Sequence, residues 1–314
     1  MEIWFMGTNA GRPTKDRNVT SIALRLLEPC EHIWLFDAGE GTQQQLLRTP
    51  LKLNKISKIF ITHLHGDHIY GLPGLLTSRS YHEGAGPLML FGPPGIKQLL
   101  DTIFELSGAY LNYELMVQEI TDEGLLYEDV HFRVEVGSLD HRVPCFGYRV
   151  VEKEQSGMLN IEKLMQLGVP KGPLYGQLKR GENVWLEDGT EVLVAEVTAP
   201  PLPGRIITIL GDTKPCDNAV KLAENADLLV HEATFRAGME EKAHAYGHST
   251  TIEAAETARR AGANRLLLTH YSSRFRMEEL YQLQEEAAAY HPNTTAAYDL
   301  FSTTVPKRKR SSPH

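Results

Sequence analysis

Short runs of apolar and β-branched residues alternate along this chain with segments whose apolar positions recur at helical spacing. The strand-like runs are EIWFMG, SIALRLL, HIWLFD, KIFIT, LMLFG, HFRVEVGSL, FGYRVV, RIITILG, ADLLVHE and RLLLTH. Helical spacing occurs at 41–48, 71–80, 93–108, 217–224, 250–261 and 277–289. This alternation predicts an α/β protein in which helices cover layers of β-sheet.

One strand-like run leads directly into a cluster of metal-binding side chains. KIFIT is followed by HLHGDH, which places His63, His65, Asp67 and His68 within six positions. A single histidine is more often an ordinary core or surface residue than a ligand. Three imidazoles and a carboxylate crowded on one turn pack poorly unless a cation collects their lone pairs, so the cluster indicates a metal site.

Further ligand candidates follow other predicted strands. His141 comes after FRVEVGSLD, Asp212 after RIITILG and His270 after RLLLT. Strand ends of an α/β sheet gather at one edge, so side chains that are distant in sequence can converge there. One tetrahedral zinc needs only three or four ligands, and the seven candidates therefore predict a dinuclear site. Imidazoles suit zinc, although iron or manganese could occupy the same ligands.

Composition and charge limit the other possibilities. The 314 residues are 42% hydrophobic and 23% charged, which is ordinary for a globular protein. The net charge of −8 argues against a nucleic-acid surface over the whole chain but allows a local one. MEIWFMG has no signal-peptide pattern and no apolar run approaches a membrane span of about 20 residues, so we expect a soluble, cytoplasmic protein without membrane contact.

Two smaller features complete this picture. Cys30, Cys145 and Cys216 are widely spaced and form no CxxC motif, so we expect reduced thiols. The basic stretch KRKR at 307–310 could be a nuclear or RNA-binding tag, but residues 305–314 are expected to form a solvated, disordered tail.

The ligand pattern resembles a known superfamily. HLHGDH matches the HxHxDH signature of the metallo-β-lactamase superfamily, and the three later candidates match its remaining ligand positions in order. The resemblance implies a four-layered αββα sandwich with the metals at one edge. It also implies two Zn²⁺ per chain, one held by His63, His65 and His141 and the other by Asp67, His68 and His270, with Asp212 as the bridging ligand.

Other motifs resemble the ribonuclease Z (tRNase Z) family within that superfamily. They are HEAT at 231–234, GHST at 247–250, GTNAGRPTKDRN at 7–18 and the segment 152–185, and the resemblance extends over residues 1–304. It implies an endonuclease that removes the 3′ trailer from precursor tRNA. His248 would be the proton donor with Glu232 as its partner, and Asp67 would hold the attacking water.

The same resemblance implies how RNA is bound. Segment 152–185 would be a protruding arm that clamps the tRNA body, and the arm of one protomer would serve the active site of the other in a homodimer. In the loop at 7–18, the residues expected to contact RNA are Thr14, Lys15, Arg17 and Asn18. A solvated turn is the alternative for that tract.

Within the arm, the residues themselves suggest a phosphate contact. NIEKLMQL predicts a short helix capped by Asn160 and ended by Gly168. The stretch GVPKGPLYGQLKRG at 168–181 is bounded by glycine and proline and predicts a loop. Its Lys171, Lys179 and Arg180 meet no acid until Glu182, which makes this stretch the best candidate for contact with backbone phosphates. An ordinary surface loop is the alternative that the residues alone leave open.

Three rival functions compete with this interpretation, and the first of them would use the same metal ligands. A thioester hydrolase of the glyoxalase II kind would not need HEAT, GHST or an arm. A di-iron redox protein would usually carry a flavin domain or a replaced residue in the first cluster. A noncatalytic RNA-binding protein could keep the fold without turnover, although the complete ligand set argues against it.

Overall fold

A computed structural model describes residues 1–27, 31–154, 157–199 and 203–308; Cys30 and the end of the basic tail lie outside these ranges. The strands in this part of the chain are β1 (Glu2–Gly7), β2 (Ser21–Arg25), β3 (Ile33–Phe36), β4 (Ile56–Phe60), β5 (Leu88–Gly92), β6 (Leu115–Glu119), β7 (Gly124–Glu128), β8 (Phe132–Leu139), β9 (Cys145–Glu152), β10 (Val184–Trp185), β11 (Glu191–Val192), β12 (Ile206–Leu210), β13 (Leu228–Glu232), β14 (Leu266–Thr269), β15 (Thr294–Ala296) and β16 (Ser302–Thr304).

The α-helices of the described residues are α1 (Thr42–Leu46), α2 (Gly66–Ile69), α3 (Leu72–Arg79), α4 (Ile96–Ser107), α5 (Ile161–Gln166), α6 (Pro173–Lys179), α7 (Val194–Val197), α8 (Asp217–Leu222), α9 (Glu240–Tyr246), α10 (Thr251–Ala261) and α11 (Leu280–Ala288). Short 3-10 turns span Leu53–Lys55 and Met277–Glu279. In the described ranges, no helix combines the length and apolar character that crossing a membrane requires.

The strands form two large sheets. The first has the order β16-β1-β2-β3-β4-β5-β6 and the second β15-β14-β13-β12-β9-β8-β7, each with seven strands. In the first sheet β3 to β6 run parallel, and in the second β12 to β15 do so. Each parallel block brings the carboxyl ends of neighbouring strands to one edge, where open α/β sheets place their sites.

The two sheets pack face to face through aromatic side chains. Tyr148 of β9 lies 5.9 Å from the ring of Phe36 and 5.3 Å from that of Phe60 in the first sheet. Its hydroxyl donates to the carbonyl of Ile61 at 2.5 Å. Burying an aromatic side chain of this kind stabilises the fold by about 1.5–3 kcal/mol.

Helices cover the outer faces of both sheets. A buried cluster joins the first sheet to α1, α3 and α4 through residues such as Leu46, Leu75 and Leu100. A second cluster joins the other sheet to α8, α10 and α11. The layers are therefore helix, sheet, sheet, helix, and the expected αββα sandwich is confirmed.

The described residues divide into two compact units. The first comprises Met1–Glu128, Val134–Val150 and Ile206–Val305 and contains the sandwich. The second comprises the described parts of Asp129–Arg133, Val151–Arg205 and 306–308. The second unit has its own small core, made of Leu164, Val169, Leu178, Val184, Val192 and Val197. The bounds 152–185 for the arm stay a prediction.

The capping signals in the second unit are confirmed, but the loop expected at 168–181 is not. The Asn160 side chain accepts from the Lys163 amide at 3.0 Å and starts α5. Residues 173–179 form α6 instead of a loop. Pro173 lies in the first turn, where proline suits a helix, and Gly181 at φ 85° follows its end. Glycine and proline thus mark the ends of this helix.

Beyond β10 and β11, which form a separate two-stranded sheet, the strands that the hydrophobic pattern missed have a common location. β6, β7, β15 and β16 are the edge strands of the two large sheets. An edge strand pairs on one side only and needs less apolar burial, so its sequence carries a weaker period-two signal. The strands between these edges, most of whose residues are buried, are confirmed.

Candidate metal centre and active site

Three of the predicted ligands bring ring nitrogens together at a common point. His63 Nε2 lies 3.0 Å from His65 Nδ1, which lies 3.3 Å from His141 Nε2. Ligand atoms bound at 2.0–2.1 Å to one tetrahedral zinc are separated by about 3.3 Å. These spacings fit three imidazoles that share a cation, and we name the three residues the first ligand set.

A second ligand set lies beside the first. His68 Nε2 and His270 Nε2 are 3.3 Å apart, and Asp67 Oδ2 lies 3.6 and 3.4 Å from them. The three atoms again have the spacing of ligands around one cation. The sequence-based assignment of these residues to a separate metal therefore matches their placement, while their role as ligands stays a prediction.

Asp212 lies between the two sets. Its Oδ2 is 3.6 Å from His63 Nε2 of the first set and 3.6 Å from His68 Nε2 of the second. One carboxylate oxygen of Asp212 and the ring nitrogens of the first set all lie within 4.8 Å of one another, so Asp212 can be grouped with that set. A carboxylate that faces both sets is placed as a bridging ligand would be.

The two sheets contribute different parts of this centre. His63, His65, Asp67 and His68 follow β4 of the first sheet. The other ligands follow β8, β12 and β14 of the second sheet, and β12, β13 and β14 are neighbouring strands in parallel register. The centre thus lies where strand ends of both sheets meet.

Hydrogen bonds fix the opposite nitrogen of four of these rings. His63 Nδ1 lies 3.0 Å from Thr62 Oγ1, and His68 Nδ1 lies 2.7 Å from Asp37 Oδ2. His141 Nδ1 donates to the Gly247 carbonyl at 2.7 Å. His270 Nδ1 lies 2.9 Å from the hydroxyl of a threonine that follows β13. A partner on one nitrogen selects the tautomer whose other nitrogen offers a lone pair, which metal-binding histidines need.

Asp37 is a site residue that the sequence analysis missed. It follows β3, is buried, and accepts from the amide and hydroxyl of Thr62 at 2.7 and 2.8 Å. The sequence could have indicated this residue, because Asp37 ends the strand-like run HIWLFD just as the other site residues follow strands. Asp37 and His270 both have positive φ, 59° and 58°, a strained conformation that costs about 1–3 kcal/mol and concentrates at functional sites.

Burial and charge act differently on the histidines of the two ligand sets. Burial lowers the pKa of His63, His65 and His141, so these rings are neutral. Burial also acts against charge on His68, but Asp212 and Asp37 outweigh it and raise the pKa of that imidazole well above its usual value. The same two carboxylates favour a metal cation at His68 Nε2.

His248 and Glu232 form a hydrogen-bonded pair next to the ligand sets. His248 Nδ1 lies 2.8 Å from Glu232 Oε1. Burial lowers the pKa of His248, but Glu232 and Asp212 outweigh it and raise that pKa to about 9. Glu232 is almost fully buried, and burial raises its pKa, yet the contact with His248 leaves it below the usual value. The pair is thus an imidazolium held by a carboxylate.

Local backbone structure presents His248. Gly247 has φ 79° and follows α9, and the next helix, α10, begins with a capping box between Thr250 and Glu253. A Cβ atom on Gly247 would lie 2.8 Å from His141 Nδ1, so this position requires glycine for its conformation and for its close approach. His248 therefore lies on a short turn between two helix ends.

The loop at 7–18 touches the second ligand set. The Gly11 amide donates to Asp67 Oδ2 at 2.6 Å. Thr14, Lys15 and Asn18 line a cavity of about 210 Å³ together with Arg48. Lys15 is exposed, and Thr14 and Asn18 are partly exposed, so these three predicted RNA contacts remain accessible.

Arg17, the fourth residue predicted to contact RNA in this loop, is buried, and its RNA contact stays a prediction. Its side chain is 3% exposed, and its guanidinium donates to Asn9 Oδ1 and to the carbonyls of Ser272 and Phe275. Arg17 also lines the cavity beside Thr14 and Lys15, but a guanidinium held this way offers a phosphate little surface. Arg17 instead fixes the loop from inside.

The basic residues predicted for the arm differ in their surroundings. Lys171, Lys179 and Arg180 are all exposed. Arg180 is paired with Glu182, with Nε 2.9 Å from Oε1. Such an exposed pair contributes about 0–1 kcal/mol, so a phosphate could replace the glutamate, but Arg180 brings less net positive charge than either lysine.

The fold and the paired ligand sets define a metallo-β-lactamase-type protein. The beta-lactamase superfamily domain matches residues 193–271, and the anti-Pycsar protein Apyc1 family matches 1–134. The metallo-beta-lactamase fold protein YhfI from Bacillus subtilis has a TM-score of 0.67 at 19% identity, covering 96% of this chain and 98% of that one. This likeness concerns the fold alone.

Relatives along the full chain are more specific. Ribonuclease Z of Bacillus licheniformis is 52% identical over 97% of this chain and 99% of its own length, and that of Geobacillus kaustophilus is 51% identical over 98% and 100%. The crystal structure of human tRNase Z, short form, has a TM-score of 0.71 at 34% identity, covering 98% of this chain and 100% of that one. The chain belongs to the ribonuclease Z family.

Proposed function

We propose that this protein is a metal-dependent endoribonuclease that removes the 3′ trailer from precursor tRNA. The products would be a tRNA with a 3′-hydroxyl and a trailer with a 5′-phosphate. The observation that carries the proposal is the pairing of two facing ligand sets with an imidazolium, His248, in a chain of the ribonuclease Z family.

The residues present fit two zinc ions. The first set supplies His63, His65 and His141, the second supplies Asp67, His68 and His270, and Asp212 would bridge them. The donor atoms are mainly imidazole nitrogens at spacings suited to tetrahedral coordination, which favours zinc over manganese. Two bound cations would neutralise phosphoryl charge and lower the pKa of a water molecule.

The side chains of this protein supply the proton transfers. Asp67, oriented by the Gly11 amide at 2.6 Å, would accept the proton of the attacking water. The leaving group is the 3′ oxygen of the last tRNA nucleotide, which leaves poorly without a proton. His248 would donate that proton while Glu232 keeps the ring charged and oriented, an effect worth typically 10²–10⁴ in rate.

The RNA would be held by residues outside the metal centre. Thr14, Lys15 and Asn18 would contact the 3′ end of the tRNA, and Lys171 and Lys179 would contact phosphates of its body, with a smaller share for Arg180. Following the ribonuclease Z resemblance, the working enzyme would be a cytoplasmic homodimer in which segment 152–185 of one protomer serves the site of the other.

A product assay tests this function directly. The metal-replete protein is offered a precursor tRNA with a 3′ trailer and, separately, a glutathione thioester. Cleavage to a 3′-hydroxyl tRNA and a 5′-phosphorylated trailer supports the proposal. Turnover of the thioester alone supports a glyoxalase II-like hydrolase, and RNA binding without turnover of either substrate supports a noncatalytic protein; both outcomes contradict the proposal.

A further inference from the structure

Thr234 connects the metal centre with the acid pair. It lies two residues after β13 and is buried, with 5% of its surface exposed. Its hydroxyl oxygen is 2.6 Å from Glu232 Oε2 and 2.9 Å from His270 Nδ1. One hydroxyl thus contacts the carboxylate behind His248 and a ring of the second ligand set.

A count of protons determines the direction of these two hydrogen bonds. A hydroxyl has one proton to donate, and its possible acceptors are Glu232 Oε2 at 2.6 Å and two atoms of His270, Nδ1 and the carbonyl oxygen, both at 2.9 Å. His248 Nδ1 lies farther away, at 3.3 Å, and is bonded to Glu232 Oε1. The shorter bond to the charged oxygen is the stronger one, so the proton goes to Glu232. The hydroxyl oxygen then accepts from His270 Nδ1, which must carry the ring proton.

The consequence concerns the other nitrogen of His270. With its proton on Nδ1, the ring has its lone pair on Nε2, the atom that lies 3.3 Å from His68 Nε2 and 3.4 Å from Asp67 Oδ2. Asp212 Oδ1 also faces this Nδ1, at 3.4 Å. Without the hydroxyl, only this longer contact would favour a proton on Nδ1, and the ring could more easily place its proton on Nε2, where it would oppose a cation. Glu232 would keep hydrogen bonds from the amides of Thr213 and Thr234.

We propose that Thr234 is a positioning residue whose hydroxyl sets the tautomer of His270 for metal binding and holds one oxygen of Glu232. The part that concerns Glu232 rests on the proposed function, because it matters only if His248 is the proton donor. The part that concerns His270 can be tested without any RNA.

The test compares the wild type with Thr234→Val, which keeps the shape of the side chain and removes the hydroxyl. The holoproteins are dialysed against graded concentrations of a chelator, and retained metal is measured by elemental analysis. We expect Thr234→Val to lose one of its two ions at a free-metal level about 10–100-fold higher than the wild type does. Reconstitution with Co²⁺ should give an altered visible absorption spectrum.

Two further variants separate the hydroxyl from general packing. Thr234→Ser keeps the hydroxyl and should retain metal like the wild type. Thr208→Val removes a buried hydroxyl from β12 that donates to the Leu222 carbonyl at 2.9 Å, and it should also behave like the wild type. If circular dichroism shows Thr234→Val unfolded, Thr234→Ala, which removes bulk instead of replacing it, takes its place.

The proposal is overturned if the hydroxyl-free variant retains both ions like the wild type, if Thr234→Ser loses metal equally, or if Thr208→Val loses as much. The role of Thr234 in holding Glu232 is tested by measuring kcat of Thr234→Val at saturating metal. The loss of kcat should be larger on precursor tRNA than on a nitrophenyl diester, and equal losses on the two substrates contradict that role. A wild type that binds metal but does not cleave RNA would contradict the proposed function and leave the chelator comparison intact.

Discussion

At the scale of single residues, each histidine of the site is defined by what contacts its two ring nitrogens. His68, with Nδ1 against Asp37, and His141, with Nδ1 against the Gly247 carbonyl, have Nε2 among the other ligand atoms. His248 instead has Nδ1 2.8 Å from Glu232 Oε1. Burial lowers the pKa of His248, but the effect of that carboxylate is larger and raises it. The same residue type would therefore serve as a metal ligand in one place and as a charged acid in another.

His248→Ala should keep its metal but lose precursor tRNA cleavage by about 10²-fold or more. A diester with a nitrophenolate leaving group should lose far less, because that group departs without a proton. The measurement is kcat on both substrates, with metal content as the control. Equal losses on both would mean that His248 binds phosphate or supports the metal centre instead of donating a proton.

Asp212→Ala should lose activity and most of both ions, because its Oδ2 faces both ligand sets. Asp140→Ala is a matched control, since Asp140 precedes His141 but pairs with Lys214 at 3.1 Å. Elemental analysis should find about two ions per chain in the wild type and in the control. Well under one ion per chain in metal-replete wild type would contradict the dinuclear assignment.

At the scale of elements, the site depends on strands that end at the same edge and on helices that begin there. β13 ends in Glu232, α10 begins beside His248, and β14 leads into His270. β13 also buries a histidine, His231, whose Nδ1 donates to the Glu232 carbonyl at 2.8 Å. Among the described residues its Nε2 has no hydrogen-bond partner, so this strand encloses a ring that must stay neutral.

This burial predicts a pH dependence of stability. Burial lowers the pKa of His231 below the 6.5 of an unfolded histidine. Below pH 6.5 the unfolded chain therefore binds a proton at His231 that the folded chain does not bind. The neutral His231 ring costs no stability above pH 6.5, and the folded state loses stability as the pH falls below that value. The slope is at most about 1.4 kcal/mol per pH unit for one such group.

The measurement is urea unfolding at pH 7.5, 6.0 and 5.0 for the wild type and His231→Asn, whose amide can replace the Nδ1 hydrogen bond. The variant should lose stability less steeply on acidification. Parallel profiles for the two proteins would show that His231 does not titrate differently in the folded and unfolded states.

Helix α6 changes how the predicted RNA contact should be tested. Replacing 168–181 by a flexible turn would remove Val169 and Leu178 from the core of the second unit and unfold it. Lys171→Ala and Lys179→Ala leave that core intact. Each should lower the slope of log affinity for precursor tRNA against log salt by about 0.7–0.9.

Lys97→Ala in α4 is the control for these two variants, because Lys97 is exposed but already pairs with Asp101 at 2.6 Å. It should leave the salt slope unchanged, and all three variants should hydrolyse a small diester at the wild-type rate. A wild-type salt slope in both lysine variants would exclude them as phosphate contacts.

At the scale of the whole molecule, the predicted metal ligands come from both sheets of the first unit. The ligands that follow β4 come from one sheet, and those that follow β8, β12 and β14 come from the other. Bound ions would therefore hold the sandwich together at this edge in addition to their chemical role. Ions that bind only the folded chain stabilise it through linkage.

Removing the metal should lower the thermal stability. At a free concentration 100 times its dissociation constant, an ion adds about 2.7 kcal/mol, and each kcal/mol shifts Tm by about 2–4 °C in a domain of roughly 150–250 residues and by somewhat less in this longer chain. Calorimetry with and without chelator should show a fall in Tm on the order of 10 °C, reversed by added Zn²⁺ but not by Mg²⁺. An unchanged Tm after complete removal of metal would contradict the cross-linking role.

The sequence by itself determined the class of fold, the buried central strands and the seven clustered ligand candidates. These follow from local information, because hydrophobic periodicity marks strands and each ligand directly follows one. The tertiary structure alone decided which atoms face each other, and it identified Asp37 and Thr234 as partners of ligand rings. It also withdrew Arg17 from the surface and added the edge strands and α6. Burial, tautomers and pairing arise between residues far apart in the chain, and a local pattern carries no record of them.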